Sequence, residues 1–150
     1  MRCGAVANAR ALLSARGRAI VNFVGLDQTE NESVRAVLPV SDIVEGKYVT
    51  TLTRQGQIKK TELIEYRNYR ETGLIGVRID DGDELLDVAL TDGGSHIIVG
   101  TRHGQAIRFA EEDVRATGRA TMGVKAIDLR DDDAVVGMGV YTPGDERDHL

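Results

Sequence analysis

A repeat of 48 residues constrains the fold of this 150-residue chain more than any other feature. The stretch YVTTLTRQGQIKK at 48–60 matches HIIVGTRHGQAIR at 96–108 without a gap. Thr53, Gly56 and Gln57 each recur 48 positions later as the same residue type. Chance rarely preserves apolar positions and turn positions together, so the match indicates a duplicated structural unit.

The second half of the unit recurs at a slightly larger spacing. Residues 73–88 match 123–138 at an offset of 50, and both stretches begin with glycine and turn at an aspartate. A fainter third copy opens the chain at 17–23. The chain is therefore predicted to begin within one repeat and to end within another.

Each repeat has the pattern of four short strands. Residues 48–53 are β-branched and aromatic, and they end at the turn 54–56, after which 57–60 returns as the second strand. Two further strands flank an acidic turn at 80–83, whose residue types tolerate positive φ. Four antiparallel strands repeated about every 40–50 residues are typical of propeller blades. We therefore predict an all-β fold of such blades; a two-sheet sandwich with an accidental repeat is the alternative.

Positive charge is concentrated locally in a chain whose net charge is −5. Residues 47–78 carry seven basic and three acidic side chains, whereas 79–96 carry six acidic and no basic ones. A polyanion would therefore meet a local basic stripe, with the acidic turns directed elsewhere. The single cysteine, Cys3, excludes an intramolecular disulfide and fits a reducing compartment. No apolar run approaches membrane-spanning length, so no membrane partner is expected.

The candidate phosphate contacts are Arg54, Lys59, Lys60 and the repeat counterparts Arg102 and Arg108. Successive side chains of a strand point to opposite faces, so an outer strand with its edge near solvent can present cations on both faces. Blades side by side would set these clusters along one rim, which suits the regular track of DNA phosphates. The alternative is a solvated edge strand whose lysines discourage aggregation.

The remaining polar groups have weaker patterns. Arg70, Arg115 and Arg119 lie in connectors before the next blade, where they contact phosphate or brace a loop. The acidic turns lack the ligand count and spacing of a calcium loop, and the three histidines have no partner at metal-ligand spacing. No nucleophile motif supports a catalytic arrangement. We therefore predict no catalytic residue, no metal and no cofactor.

Four segments resemble the C-terminal domain of bacterial DNA gyrase A: ARGRAIVNF, YVTTLTRQGQIKKTEL, GDELLDVALTDG and TRHGQAIRFAEEDVRATGRATMGVKAIDL. The motif T-x-x-G-x-x-K-K-T followed by G-D-E-L recurs in the blades of that family. The resemblance covers about residues 15–140. It implies a β-pinwheel of six blades, a propeller-like ring whose neighbouring blades exchange strands. It also implies a basic rim that bends and wraps DNA while gyrase introduces negative supercoils.

The resemblance implies an organisation and a set of partners. About two and a half of the six blades would lie within 15–140, between an unassigned segment at 1–14 and an acidic tail or start of a next blade at 141–150. The partners would be double-stranded DNA, the rest of gyrase A and its partner protein gyrase B, in the bacterial cytoplasm at the nucleoid. The related topoisomerase IV carries a similar module, and the residues leave the two origins open.

Two functional alternatives remain at the level of sequence. None of the four tyrosines has the context of the family's DNA-cleaving tyrosine, so the chain would bind DNA while a separate core cuts and religates it. The rival interpretation is a protein-interaction propeller fragment, or a truncated remnant that binds nothing. Blade edges without a neighbouring strand would also promote self-association.

Overall fold

The computed structural model describes residues 2–6, 35–68 and 74–144. These parts contain nine β-strands, two short 3₁₀ turns and no α-helix, which confirms the predicted all-β fold. No helix in them is long and apolar enough to cross a membrane. The strands are β1 Arg2–Val6, β2 Tyr48–Thr53, β3 Gln57–Glu62, β4 Leu74–Ile79, β5 Leu85–Thr91, β6 His96–Thr101, β7 Ala106–Ala110, β8 Val124–Lys125 and β9 Val135–Tyr141. The 3₁₀ turns are Leu63–Tyr66 and Glu111–Asp113.

Strands are exchanged between repeats, as the resemblance implies. The second sheet has the order β5-β2-β3-β8, and its outer strand β8 comes from the following repeat. There Gln57 pairs with Lys125 and Ile58 with Val124, in antiparallel register. In turn, β4 leaves its own repeat and pairs with β1 in the first sheet. The second sheet is therefore completed only when two repeats are present.

The third sheet, β7-β6-β9, copies the hydrogen bonding of the second. The β2–β3 hairpin begins its register at Tyr48↔Glu62, and the β6–β7 hairpin begins at His96↔Ala110. The same register shift occurs near the end of β2 and, 48 residues later, near the end of β6. The duplicated unit is thus confirmed down to this register shift. In the described residues β7 has no strand on its outer edge.

The main core lies between the second and third sheets. One face of the second sheet contributes Leu52 and Ile58, and the facing side of the third contributes Ile97 and Val99. Blades stacked in this way bury aliphatic side chains that neither sheet could cover alone. A smaller cluster covers the opposite face of the second sheet, where Val49, Leu63 and Tyr66 pack with Leu38, Ile43 and Val88.

Two glycines allow the exchanged strand to approach the hairpin closely. A Cβ at Gly123 would lie 2.6 Å from the carbonyl oxygen of Ile58. Gly56 closes the β2–β3 turn with a φ of +83°, and a Cβ there would lie 2.9 Å from Cγ2 of Ile127. The Gly56 carbonyl accepts a hydrogen bond from the Ala126 amide at 2.8 Å. The sequence match at 123 therefore marks a contact between repeats.

Some predicted positions lie outside the described residues. Gly73, the counterpart of Gly123, is one of them, and so is the faint third copy at 17–23. The boundaries at 14 and 140 stay predictions.

Gly123→Ala should lower the free energy of unfolding by about 1–3 kcal/mol, because the new methyl group overlaps backbone that cannot move aside. Thermal and urea unfolding of the whole chain measure the change. Gly137→Ala is the matched control, since a Cβ at Gly137 meets nothing within 4 Å. Equal melting of the two variants would contradict the close approach of β8 to β3.

Candidate nucleic-acid interface

The lysine pair at the centre of the sequence prediction lies inside the protein. Lys59 is 3% exposed and Lys60 is 6% exposed. The expectation that both cations are presented on an outer strand is therefore wrong. The reason is twofold: β3 is not an outer strand, because β8 and the connector 114–123 pair along it, and both of its faces are covered. Glu111 covers the Lys60 side chain, and the main chain of Gly76 and Arg119 covers that of Lys59. The solvated-edge alternative fails for the same reason.

Lys60 joins the two blades through a buried carboxylate. Its Nζ donates to the carbonyl oxygen of Glu111 at 3.0 Å and lies 3.9 Å from the Glu111 Oε1. The ammonium also sits 4.9 Å from the ring centroid of Tyr48. Glu111 is fully buried, and its Oε1 accepts the Thr91 hydroxyl at 2.6 Å. Because that hydroxyl has one proton, the Thr50 hydroxyl 3.0 Å away donates to Thr91.

Lys59 points to the opposite face and has a different environment. Its Nζ donates to the carbonyl oxygens of Gly76 at 2.7 Å and Arg119 at 2.6 Å. Burial, followed by the nearby positive charge of Arg119, lowers the pKa of Lys59 to about 8. No ion pair joins it to a carboxylate among residues 35–68 and 74–144. Among the described residues, Lys59 is thus a buried cation held by backbone carbonyl groups.

The arginines at the hairpin turns are exposed at both repeats. The Arg54 side chain is 52% exposed, and its Nη1 lies 2.8 Å from Oε1 of Glu84. Arg102 is also exposed, and it forms no ion pair within the described part of the chain. The two main chains are fixed alike: the Arg54 amide donates to the Glu84 carbonyl at 2.9 Å, and the Arg102 amide to the Ala134 carbonyl at 2.8 Å.

In each hairpin turn, an aspartate side chain accepts a hydrogen bond from a main-chain amide. Oδ1 of Asp83 accepts the Gln55 amide at 2.9 Å, and Oδ1 of Asp133 accepts the His103 amide at 3.0 Å. Burial alone would raise the pKa of Asp133, but hydrogen bonds, that from Thr101 foremost, outweigh it and lower that pKa. The acidic turns therefore have the structural role predicted for them. No cluster in the described residues has three or more side chains placed to hold a metal ion.

The remaining predicted arginines occupy three different settings. Arg108 is exposed on the outward face of the third sheet, opposite Ile98 of β6. Arg115 is exposed in the connector, and Arg119, in the same connector, is half-buried. Arg70 lies outside the described residues. Arg115 and Arg119 thus share one connector, whereas Arg54 and Arg102 lie at the hairpin turns.

Comparison with known families assigns the fold and its repeats together. The family model described as "DNA gyrase C-terminal domain, beta-propeller" matches the chain twice, at residues 47–92 and 95–141. The two matched segments begin 48 residues apart, so each contains one of the repeats found above. The chain belongs to the DNA gyrase C-terminal domain family.

Relatives and solved structures agree with this family. The DNA gyrase A of Haloquadratum walsbyi is 42% identical over 129 residues, or 83% of this chain, and that of Salmonella typhimurium is 44% identical over 124 residues, also 83%. The chain spans only 14–15% of the length of these relatives. A crystal structure of the C-terminal domain of DNA topoisomerase IV superposes with a TM-score of 0.76 at 32% identity, covering 84% of this chain and 39% of that one.

The C-terminal domain of DNA gyrase A shows the same fold. Its structure superposes with a TM-score of 0.72 at 22% identity and covers 83% of this chain and 40% of that one.

One exposed cation of this family member was missed from the sequence. Arg78 on β4 is exposed, and its amide donates to the Thr121 carbonyl at 3.0 Å, so it lies against the connector of the next repeat. The signal was present in the strand, because Val77 and Ile79 on either side are buried and the residue between them must face outward. Its position beside Thr121 was not readable, since strand exchange creates that neighbour.

Lys60→Met should lower the free energy of unfolding by about 3 kcal/mol, because it leaves the buried Glu111 carboxylate without its cation. Urea unfolding at neutral pH measures the loss. Arg108→Met, at the exposed repeat counterpart, is the control and should stay within about 0.5 kcal/mol of the parent chain. A Lys60→Met chain as stable as the parent would contradict an ion pair between the blades.

Proposed function

We propose that the chain holds duplex DNA by phosphate contacts, as a DNA-wrapping part of a gyrase-type topoisomerase. Membership of the DNA gyrase C-terminal domain family supports this role. The observation that carries the proposal is that the basic side chains fall into a buried group and an exposed group. Lys59 and Lys60 are buried and bind groups of the protein itself. Arg102, Arg108 and Arg115 are exposed and form no ion pair with the described residues. Exposed cations without acidic partners are free to neutralise phosphates.

The contacts are proposed to be independent of base sequence. Arginine neutralises phosphate and displaces condensed counterions, and this supplies affinity without reading bases. Preference among duplexes would then follow the ease of bending. Lys59 and Lys60 are left out of the proposed contact set, because their ammonium groups are turned inward.

The proposed set of phosphate contacts also includes Arg54 and Arg70. Arg54 is exposed but paired with Glu84, and exposed ion pairs contribute only about 0–1 kcal/mol, so a phosphate can displace the carboxylate. Arg70 stays a sequence-based prediction. Arg119 is treated separately below.

Within a whole enzyme, we propose that this module supports negative supercoiling without cutting DNA itself. The rest of gyrase A, together with gyrase B, would supply cleavage and energy, in the bacterial cytoplasm at the nucleoid. Solved C-terminal domains of both DNA gyrase and topoisomerase IV share the fold, so the fold itself does not separate the two enzymes.

Replacing Arg102, Arg108 and Arg115 together with Gln should weaken binding to all duplexes about equally. Each lost phosphate contact removes roughly 0.9 from the slope of log affinity against log salt, so the slope should flatten by about two to three. A mobility-shift titration of the whole chain at several salt concentrations measures this, with circular dichroism confirming the fold.

Lys125→Gln is the matched control, because it removes one exposed positive charge that lies outside the proposed contact set. It should leave the slope nearly unchanged. A parent chain with no affinity for duplex, or a triple variant with the parental slope, would refute the proposed interface.

A second candidate function rests on the outward face of the third sheet. In the second sheet the equivalent face, which carries Leu52 and Ile58, is covered by the next blade. In the third sheet Ile98 is 42% exposed and Tyr141 is 39% exposed, beside the edge of β7 along which no described strand pairs. Arg108 lies on this same face, opposite Ile98, so the two candidate functions exclude each other at Arg108. As the alternative to a phosphate contact there, we propose that a second copy of this chain covers this face, because a neighbouring blade already covers the equivalent face of the second sheet.

Analytical ultracentrifugation should therefore show species heavier than one chain, in proportions that rise with concentration. Ile98→Glu should shift the distribution toward the monomer, since it buries a charge in the proposed contact. Val37→Glu, at an exposed site outside the sheets, should change nothing. A parent chain that stays monomeric across the concentration range rules out this contact.

A further inference from the structure

A five-residue loop, which we call the TGRAT loop (residues 117–121), is fixed to two different sheets at its ends. The Thr117 amide donates to the carbonyl oxygen of Lys60 on β3 at 2.9 Å. The Thr121 carbonyl accepts the amide of Arg78 on β4 at 3.0 Å. The loop therefore bridges the second sheet and the first, outside both.

The middle of the loop is fixed as well. The carbonyl oxygen of Arg119 accepts the Lys59 ammonium, which also binds Gly76 of β4. Within the loop, the Thr121 hydroxyl donates to the Gly118 carbonyl at 2.7 Å and lies 3.0 Å from the Thr117 hydroxyl. With both ends and the centre bonded, the main chain that carries Arg119 loses little conformational freedom when a ligand binds.

The electrostatics of this place favour an anion. Lys59 is buried against carbonyl oxygens, and the positive charge of Arg119 is close enough to act on it. Two neighbouring cations repel each other, and no carboxylate among the described residues forms an ion pair with either of them. A phosphate at the half-exposed Arg119 guanidinium would relieve that repulsion.

The fold of the blade does not itself require a cation at this position. The repeat counterpart of Lys59 is Ile107 on β7, and the third sheet forms with the same register as the second. A buried ammonium without a carboxylate is costly, whereas an apolar side chain there would be inexpensive. The lysine is therefore explained better by what it holds than by the packing of β3.

We propose that the TGRAT loop is a preorganised phosphate-binding loop, in which Arg119 contacts a DNA phosphate and Lys59 is a positioning residue that never touches DNA. This rests on the proposed function, namely duplex binding. The proposal adds to the DNA-binding residues a buried one that does not touch DNA. Charge and exposure alone would not identify Lys59, because it acts through the carbonyl oxygen of Arg119.

A double-mutant cycle on the whole chain tests the proposal. Arg119→Gln should flatten the salt slope of duplex binding by roughly one phosphate contact, about 0.9. Lys59→Met should flatten it by a similar amount, although the lysine is buried, because the loop loses its central anchor. The double variant should be no flatter than Arg119→Gln alone. Additive flattening would mean that Lys59 acts on DNA by another route, and would overturn the proposal.

Lys60→Met is the matched control, since it removes a neighbouring buried lysine whose side chain does not bind the loop. It should lower stability but keep the parental slope, which separates loop position from general destabilisation. If Lys59→Met fails to fold, Thr121→Ala removes the bonds inside the loop from an exposed site, and it too should flatten the slope.

The outcomes separate the two proposals. A parent chain that does not bind duplex refutes the proposed function itself. If Lys59→Met and Thr121→Ala both bind duplex with the parental salt slope, the positioning role of Lys59 is refuted, whereas DNA binding itself is not. If Lys59→Met does not fold, a parental slope in Thr121→Ala has the same meaning.

Discussion

The pairing of β8 with β3 is the contact on which the other features depend. It brings a strand of one repeat to the outer edge of the previous repeat's hairpin, where Gly123 leaves room for the backbone of Ile58. Each sheet edge presents unpaired amide and carbonyl groups, and the exchange satisfies them with a neighbour's strand. The same exchange brings the connector along β3, where the carbonyl oxygen of Arg119 accepts the Lys59 ammonium, while the neighbouring blade covers Lys60 through Glu111.

Burial changes the role of the two adjacent lysines from surface cations to internal contacts. Two adjacent lysines on a strand have opposite directions, and here each direction leads to a different interior. Lys60 contacts the carboxylate of Glu111 and joins two blades, whereas Lys59, in the part of the chain that the structure describes, donates to carbonyl oxygens and holds the TGRAT loop. Proximity to a glycine turn therefore gives no indication that a lysine is exposed. The repeat counterparts Arg108 and Ile107 do not repeat these roles.

The proposed DNA contacts are the basic side chains that are not buried in the interior. Arginines at the turns and on the connector stay outside, because their long side chains leave from turns or exposed faces. Buried cations contribute to stability and loop position, and the exposed ones are proposed to contribute DNA affinity that falls with salt. In this proposal the same type of charge serves two purposes, one inside the protein on β3 and one outside it at the turns and the connector.

The sequence by itself determined the repeat, the strands and the turns. The 48-residue spacing, the alternation along β2 and β6, and the turns at Gly56 and Asp83 are local properties, and the family resemblance implied the exchange of strands. Which side chains are buried was decided only by the tertiary structure. The burial of Lys59 and Lys60 depends on Gly76, Arg119 and Glu111, which lie 17 to 60 residues further along the chain. A two-residue period tells which side chains share a face of a strand, but not whether another repeat covers that face.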